Sequence, residues 1–333
     1  MTTSRVLQRL GIRRTRVLGL LAAIVLSSSS SLAAAGASPL EVPVTVTNQA
    51  QLTALLNQGA SLNSLPSVLV PPASLGKEFP GTQGCLVSPT STNAIAARPA
   101  TSVCTWGDPT ASHTVVLFGD SQAAMWLPAM SALGTAEHVK VVLYAMSACN
   151  LASTPLWNLY SLAASQACTA FRSWALTQIA ALKPIAVVTA FYALPNYTDY
   201  NHRPVSTSKF SAALKKTYQA LVATGAKVVA FGNIPLPPLD PALCLSAHPN
   251  QIHGCGVGIH QAVNAPSVAV VSAAARGSRA SFVSPINWAC SKSFCPIEAN
   301  HTILYFDQFH LAKHYVLEIA PVVIAALVKL GVA

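Results

Sequence analysis

Thr114-Val115-Val116-Leu117-Phe118-Gly119-Asp120-Ser121 decides the fold. Five consecutive apolar or β-branched residues read as a strand buried on both faces. Gly-Asp-Ser then forces a turn, and the following residues carry Met125, Leu127, Met130 and Leu133 at helical spacing as far as about Ala136. The same alternation continues outward. Lys140–Ala145, Ile185–Ala190, Lys227–Phe231 and Ala280–Val283 read as further strands. Helices are expected over Leu162–Leu182, Lys209–Thr224, Gly258–Ala275 and Ala312–Leu330, the last interrupted at Pro321. Strands alternating with helices at this spacing predict an α/β fold, a three-layer α/β/α sandwich around a mainly parallel sheet. In such sheets the chemistry gathers at the carboxyl ends of the strands, which is where Ser121 lies.

The remainder of the 333 residues divides into two stretches. Residues 1–37 hold Arg5, Arg9, Arg13, Arg14 and Arg16, then an apolar run over Val17–Leu26, then small residues ending in Ala35-Gly36-Ala37. That is the layout of a cleaved export signal, with a retained anchor or lipid-proximal tether as the alternative, since the apolar run is too short to span a bilayer comfortably. Residues 38–84 are rich in Pro, Ser, Asn and Gln and read as a linker or wrapping segment, leaving 85–333 as the folded domain. Half of the net charge of +10 belongs to the signal, and no Lys/Arg cluster follows it, so no nucleic-acid partner is expected. With 52% apolar and 9% charged residues, the chain is neither disordered nor polytopic in a membrane.

Eight cysteines in an exported chain point to disulfides. Nearest-neighbour pairing gives Cys85–Cys104, Cys149–Cys168, Cys244–Cys255 and Cys290–Cys295. A zinc site would compete for these thiols, but there is no Cys-x-x-Cys pair, and neither a metal nor another cofactor is expected. His248, His253 and His260 beside Cys244 and Cys255 fit a disulfide-closed loop as well as they fit a ligand set.

Ser121, after a strand and opening a helix, has two readings: a nucleophile lifted off the sheet, or a simple helix cap. Asp307 and His310, in Tyr305-Phe306-Asp307-Gln308-Phe309-His310-Leu311, also have two. Aspartate three residues before histidine can hold one ring nitrogen and leave the other free to take a proton, or the pair can merely cap the final helix. Trp126, Trp157, Trp174 and Trp288 could stack on sugars, although large aromatic residues more often fill cores.

Taken together, Gly-Asp-Ser after the first strand and Asp-x-x-His before the last helix resemble the SGNH (GDSL) hydrolases. More narrowly, the chain resembles the SGNH domain fused to acyltransferase-3 membrane proteins, which modify bacterial cell-surface polysaccharides. Cys104-Thr105-Trp106-Gly107-Asp108, Val116 through Ala129, Ser147-Ala148-Cys149 and the pair Cys290 and Cys295 carry the likeness, from about Gly84 to the C-terminus. The resemblance implies a Ser121–His310–Asp307 triad and an exported esterase or O-acyltransferase. Its substrate would be an acylated polysaccharide or glycan, with acetyl as the expected acyl group. A separate membrane acyltransferase would be a fitting partner, since no such region lies in this chain. Gln122 replaces the histidine usual after the nucleophile, and no glycine follows the second strand. Ser121 and Asn196 are the expected oxyanion donors, Asn196 lying some residues later than the family pattern places it. A decayed, non-catalytic module that binds or scaffolds carbohydrate is the alternative.

Overall fold

The computed structural model describes residues 44–333 apart from 91, 92, 158, 159 and 195. The expected signal over 1–37 lies outside the described residues.

In chain order the main elements are α1 (Gln49–Gly59), β1 (Leu86–Val87), β2 (Thr105–Gly107), β3 (Thr114–Gly119), α2 (Ser121–Met125), α3 (Leu127–Ala136), β4 (Lys140–Met146) and α4 (Leu162–Leu182). There follow β5 (Ala186–Ala190), α5 (Thr207–Val222), β6 (Lys227–Phe231), α6 (Ala265–Arg276), β7 (Ser281–Val283), α7 (Lys313–Glu318) and α8 (Ala320–Lys329). The sheet runs β4-β3-β5-β6-β7 in parallel, with Leu117 opposite both Leu143 and Val188. On the outer side of β4, β1 adds in parallel at Ala145 and Met146, and β2 adds antiparallel at Lys140 to Val142. Neither edge strand is legible as a hydrophobic run, because each is only two or three residues long.

Period-2 alternation along the strands sorts the core into two layers. Val115, Leu117, Val141, Leu143 and Val188 pack with Met130 and Leu133 of α3, Val316 of α7 and Val323 of α8. Val116, Phe118, Val142, Tyr144 and Val187 face the other way, against Phe171 and Ile179 of α4, Tyr218 of α5 and Val271 of α6. The α/β/α sandwich expected from the sequence is the observed fold.

Three expected helices are each broken in two. Trp126 closes α2 and α3 begins at Leu127; a four-residue helix ends at Ala262 before α6; Ile319 separates α7 from α8. Each new helix has proline in its first turn (Pro128, Pro266, Pro321), where the missing N–H costs nothing but a continuous helix would need it. Residues 44–84 wrap the domain: Leu52, Leu56 and Leu75 are fully buried in the first core layer. All four nearest-neighbour cysteine pairs are bonded, with Cα separations of 5.6, 5.3, 5.8 and 4.0 Å in chain order.

The chain leaves β3 toward β4 on one side and returns to β5 on the other. The carboxyl end of β3 is therefore the topological switch point, where the adjoining loops part and leave a crevice.

Candidate active site

Gly119 ends β3 in contact with the carbonyl of Ala190 on β5; a Cβ there would meet that oxygen at 1.7 Å, so only glycine fits. Asp120 is buried and caps α2, with Oδ1 accepting from the Gln122 N–H at 2.8 Å. Its Oδ2 accepts from the Tyr192 N–H at 3.0 Å, which ties the chain after β5 to the turn that carries Ser121. Burial pushes the Asp120 carboxyl up to about 6, against the pull of these N–H groups and of His310. Asn233, just past β6, holds the same post-β5 segment: Oδ1 accepts from Ala193 N–H at 3.0 Å and Nδ2 donates to Ala193 O at 2.8 Å.

The segment Tyr305–Leu311 closes on itself. Its ends form an antiparallel bridge, Phe306 N–H donates to the His310 carbonyl at 3.1 Å, and Phe309 N–H donates to Asp307 Oδ1 at 2.7 Å. This turn brings the Asp307 carboxylate to His310, with Nδ1 at 2.9 Å from Oδ1 and 3.0 Å from Oδ2. On the opposite side of the ring, Nε2 lies 2.8 Å from Ser121 Oγ. A carboxylate can only accept, so in the neutral ring Nδ1 carries the proton and Nε2 accepts from the serine hydroxyl. Phe79 packs edge-on against the imidazole and Phe306 stacks on it, each with ring centroids 5.4 Å apart. The structure thus brings Ser121, His310 and Asp307, 189 residues apart in sequence at the widest hydrogen bond, into one chain of contacts.

Several residues that hold this arrangement carry no obvious signal in the sequence. Gln122 donates its side-chain amide to the Phe309 carbonyl. Leu311 N–H points at the Met125 sulfur at 2.9 Å, so α2 grips the histidine segment at two places. Glu78, from the wrapping segment, takes the Lys313 N–H on its carbonyl at 2.7 Å, and its Oε2 lies 2.5 Å from His314 Nδ1 at the start of α7. Only Gln122 stood out beforehand, as the residue beside the nucleophile that departs from the family pattern.

Asn196 is a correction. It is exposed, and it does not line the cavity at Ser121. The post-β5 chain turns Tyr192, Leu194 and Tyr197 toward the cavity instead, while Asn196 leads into a small hairpin pairing Tyr197–Thr198 with Pro204–Val205. After β4 the turn reaches the left-handed region without a glycine, at Ala148 with φ 52°, and Ala148 lines the cavity. Of the four tryptophans considered for sugar stacking, only Trp157 lines it; Trp126 and Trp288 are buried against each other and Phe231. Cys244 and Cys255 are bonded to each other, and His253 stacks on Phe294 with its Nδ1 at 3.1 Å from the Ala60 carbonyl.

The cavity over Ser121 has a volume of about 410 Å³. It is lined by Ser121, His310, Gln122, Ser147 and Asn150 together with the aromatic residues Phe79, Trp157, Tyr160, Tyr192, Tyr197, Phe306 and Phe309.

A family model described as "SGNH domain (fused to AT3 domains)" matches residues 85–325. Among solved structures, the periplasmic domain of a lipopolysaccharide acetyltransferase from Salmonella ser. Paratyphi A is similar at 12% identity and a TM-score of 0.56, covering 74% of this chain and 93% of that one. At that identity the likeness is one of fold. A GDSL-like lipase from Bacteroides thetaiotaomicron matches at 12% identity, TM-score 0.37, over 65% of this chain and 88% of the other. An acetylxylan esterase from Geobacillus stearothermophilus matches at 12% identity, TM-score 0.38, over 66% and 95%. No curated protein matches the chain.

Proposed function

Because the chain belongs to the family of SGNH domains fused to AT3 domains, a family of ester-cleaving and acyl-transferring enzymes, we propose that it is an exported serine esterase or O-acyltransferase acting on acylated cell-envelope carbohydrate. The observation that supports this most is the unbroken relay from Asp307 through His310 to Ser121, with contacts of 2.9 and 2.8 Å.

The chemistry follows from that relay. His310 Nε2 takes the Ser121 proton as Oγ attacks the ester carbonyl, and Asp307 steadies the imidazolium that forms. The Ser121 N–H, at the first helical position after the Asp120 cap, donates in this reading to the oxygen that becomes negative. Collapse of the tetrahedral intermediate breaks the bond to the alcohol, which leaves with the proton from Nε2, and an acyl group remains on Ser121. Water or a second sugar hydroxyl then gives its proton to His310 and takes the acyl group; the bond to Ser121 Oγ breaks and the serine recovers its proton from Nε2, giving hydrolysis or transfer respectively. In the transfer mode a separate membrane acyltransferase is the fitting upstream partner.

Four disulfides support an oxidising destination, and among the described residues no helix is long and apolar enough to cross a membrane.

The test is a serine-directed fluorophosphonate followed by mass spectrometry, alongside turnover of small acyl esters. Ser121 is expected to carry the label. Ser121→Ala and His310→Ala should each abolish nearly all turnover, with the double variant little worse than either, since a triad acts as a unit. Correctly oxidised protein with neither label nor turnover would leave the non-catalytic carbohydrate module as the better reading.

A further inference from the structure

The cavity says which half of the ester enters it. Its volume of about 410 Å³ is far more than an acetyl group needs, given that an apolar cavity of about 150 Å³ already takes benzene. Its wall is apolar: Phe79, Trp157, Tyr192, Leu194, Phe306 and Phe309 surround the space beside Ser121. Among the described lining residues, Asp120 is the sole fixed charge, and both of its oxygens are occupied by the Gln122 and Tyr192 N–H groups.

Three of the other polar side chains facing the cavity are occupied too. The Gln122 amide donates to the Phe309 carbonyl, Asn150 Oδ1 accepts from Ala152 N–H at 3.0 Å, and the Tyr197 hydroxyl accepts from Leu194 N–H while donating to the Tyr192 carbonyl, both at 3.2 Å. A pyranose pushed into this space would strip water from several hydroxyls against a wall that is mostly aromatic and aliphatic, which is a net cost. A hydrocarbon chain loses nothing there and gains for every methylene it buries.

We infer that the cavity is an acyl pocket for a chain longer than acetyl, roughly butanoyl to octanoyl or an aromatic acyl group of similar bulk, with the carbohydrate held outside at the mouth. This rests on the Ser121 esterase reading and sharpens it. The absence of any Lys or Arg among the described lining residues further points to a neutral acyl group rather than a carboxylated or phosphorylated one.

The experiment measures kcat/KM for p-nitrophenyl esters from acetyl to dodecanoyl, with the full oxidised protein. A parallel arm uses acetate esters of progressively larger aromatic alcohols. The expected profile rises from acetyl by up to roughly fourfold per methylene, about 0.8 kcal/mol each, and breaks when the pocket is full. Leu194→Trp, which fills the pocket, should lower the hexanoyl-to-acetyl ratio. Ser121 labelled but acetyl preferred, or the acyl series flat while larger alcohols gain, would overturn the acyl pocket and leave the esterase reading intact. Neither label nor turnover at any chain length would overturn both.

Discussion

Gln122 donates its side-chain amide to the carbonyl of Phe309, so the residue next to the nucleophile holds the loop that carries the base. Both partners lie at the cavity, and Gln122 is buried. Gln122→Ala would leave the Phe309 carbonyl without that donor and free the Asp307–His310 turn on one side. The Ser121–His310 contact then loses definition, although every reacting group is still present. A drop of about 10- to 100-fold in kcat is expected, with KM little changed, because small displacements at reacting atoms act on the chemical step. The fluorophosphonate labelling rate of Ser121 should fall in parallel. A labelling rate equal to wild type would remove Gln122 from any positioning role.

What the sequence revealed and what it hid follow from the range of the interactions involved. β3 was legible because four apolar residues in a row after a β-branched threonine have few alternatives to a doubly buried strand. Asp307 and His310 were legible because their contact is made within one turn. The disulfides were legible because each closes a short stretch of chain. The breaks at Pro128 and Pro266 were missed, because continuous apolar spacing on either side masks the prolines in the sequence, whereas in the fold the missing N–H decides. The cavity wall was not legible. Phe79, Trp157, Tyr192 and Phe309 come from four separate segments, and each alone looks like a core residue. Ala148 was hidden for a different reason: a left-handed φ at a non-glycine residue is set by the surrounding turn and leaves no mark in the sequence.

Asn196 offers a clean negative test. It is exposed and outside the cavity, so its amide has no route to an oxyanion formed at Ser121. Asn196→Ala should change kcat/KM by less than about twofold, whereas loss of a true oxyanion donor costs about 10²–10³. A fall of that larger size would mean that the loop rearranges when substrate binds.

The Cys149–Cys168 bridge ties the turn after β4 to α4, and Ser147, Ala148 and Asn150 of that turn line the cavity. Replacing both cysteines by alanine should lower stability by about 2–4 kcal/mol. It should also loosen one side of the site. Activity assayed well below the new Tm is therefore expected to fall, not merely the melting temperature. Wild-type kcat/KM at 20 °C in a variant with a clearly lower Tm would show that the turn keeps its shape without the bridge.

Glu298 makes stability depend on pH at a place away from the active site. It lies in a short hairpin, Glu298–Ala299 against Thr302–Ile303, and is 1% exposed. Burial pushes its carboxyl from an ordinary 4.5 up to about 7, with the Glu318 carboxylate adding to the rise and His301 opposing it. Burial raises Glu318 as well, and its oxygens are held by the Asn300 amide and the Thr302 hydroxyl, each at 2.7 Å. Between pH 4.5 and 7 the folded protein therefore binds a proton at Glu298 that the unfolded chain has released. The contribution of Glu298 to stability then falls as pH rises through that window, in the sense opposite to that of a salt-bridged carboxylate. Glu298→Gln keeps the shape and removes the titration. At pH 8 it should be more stable than wild type by on the order of 2 kcal/mol, and at pH 4 the two should nearly coincide. Urea midpoints of both proteins across this range provide the check. Curves that stay parallel from pH 4 to 8 would show that Glu298 is ionised in the folded state throughout.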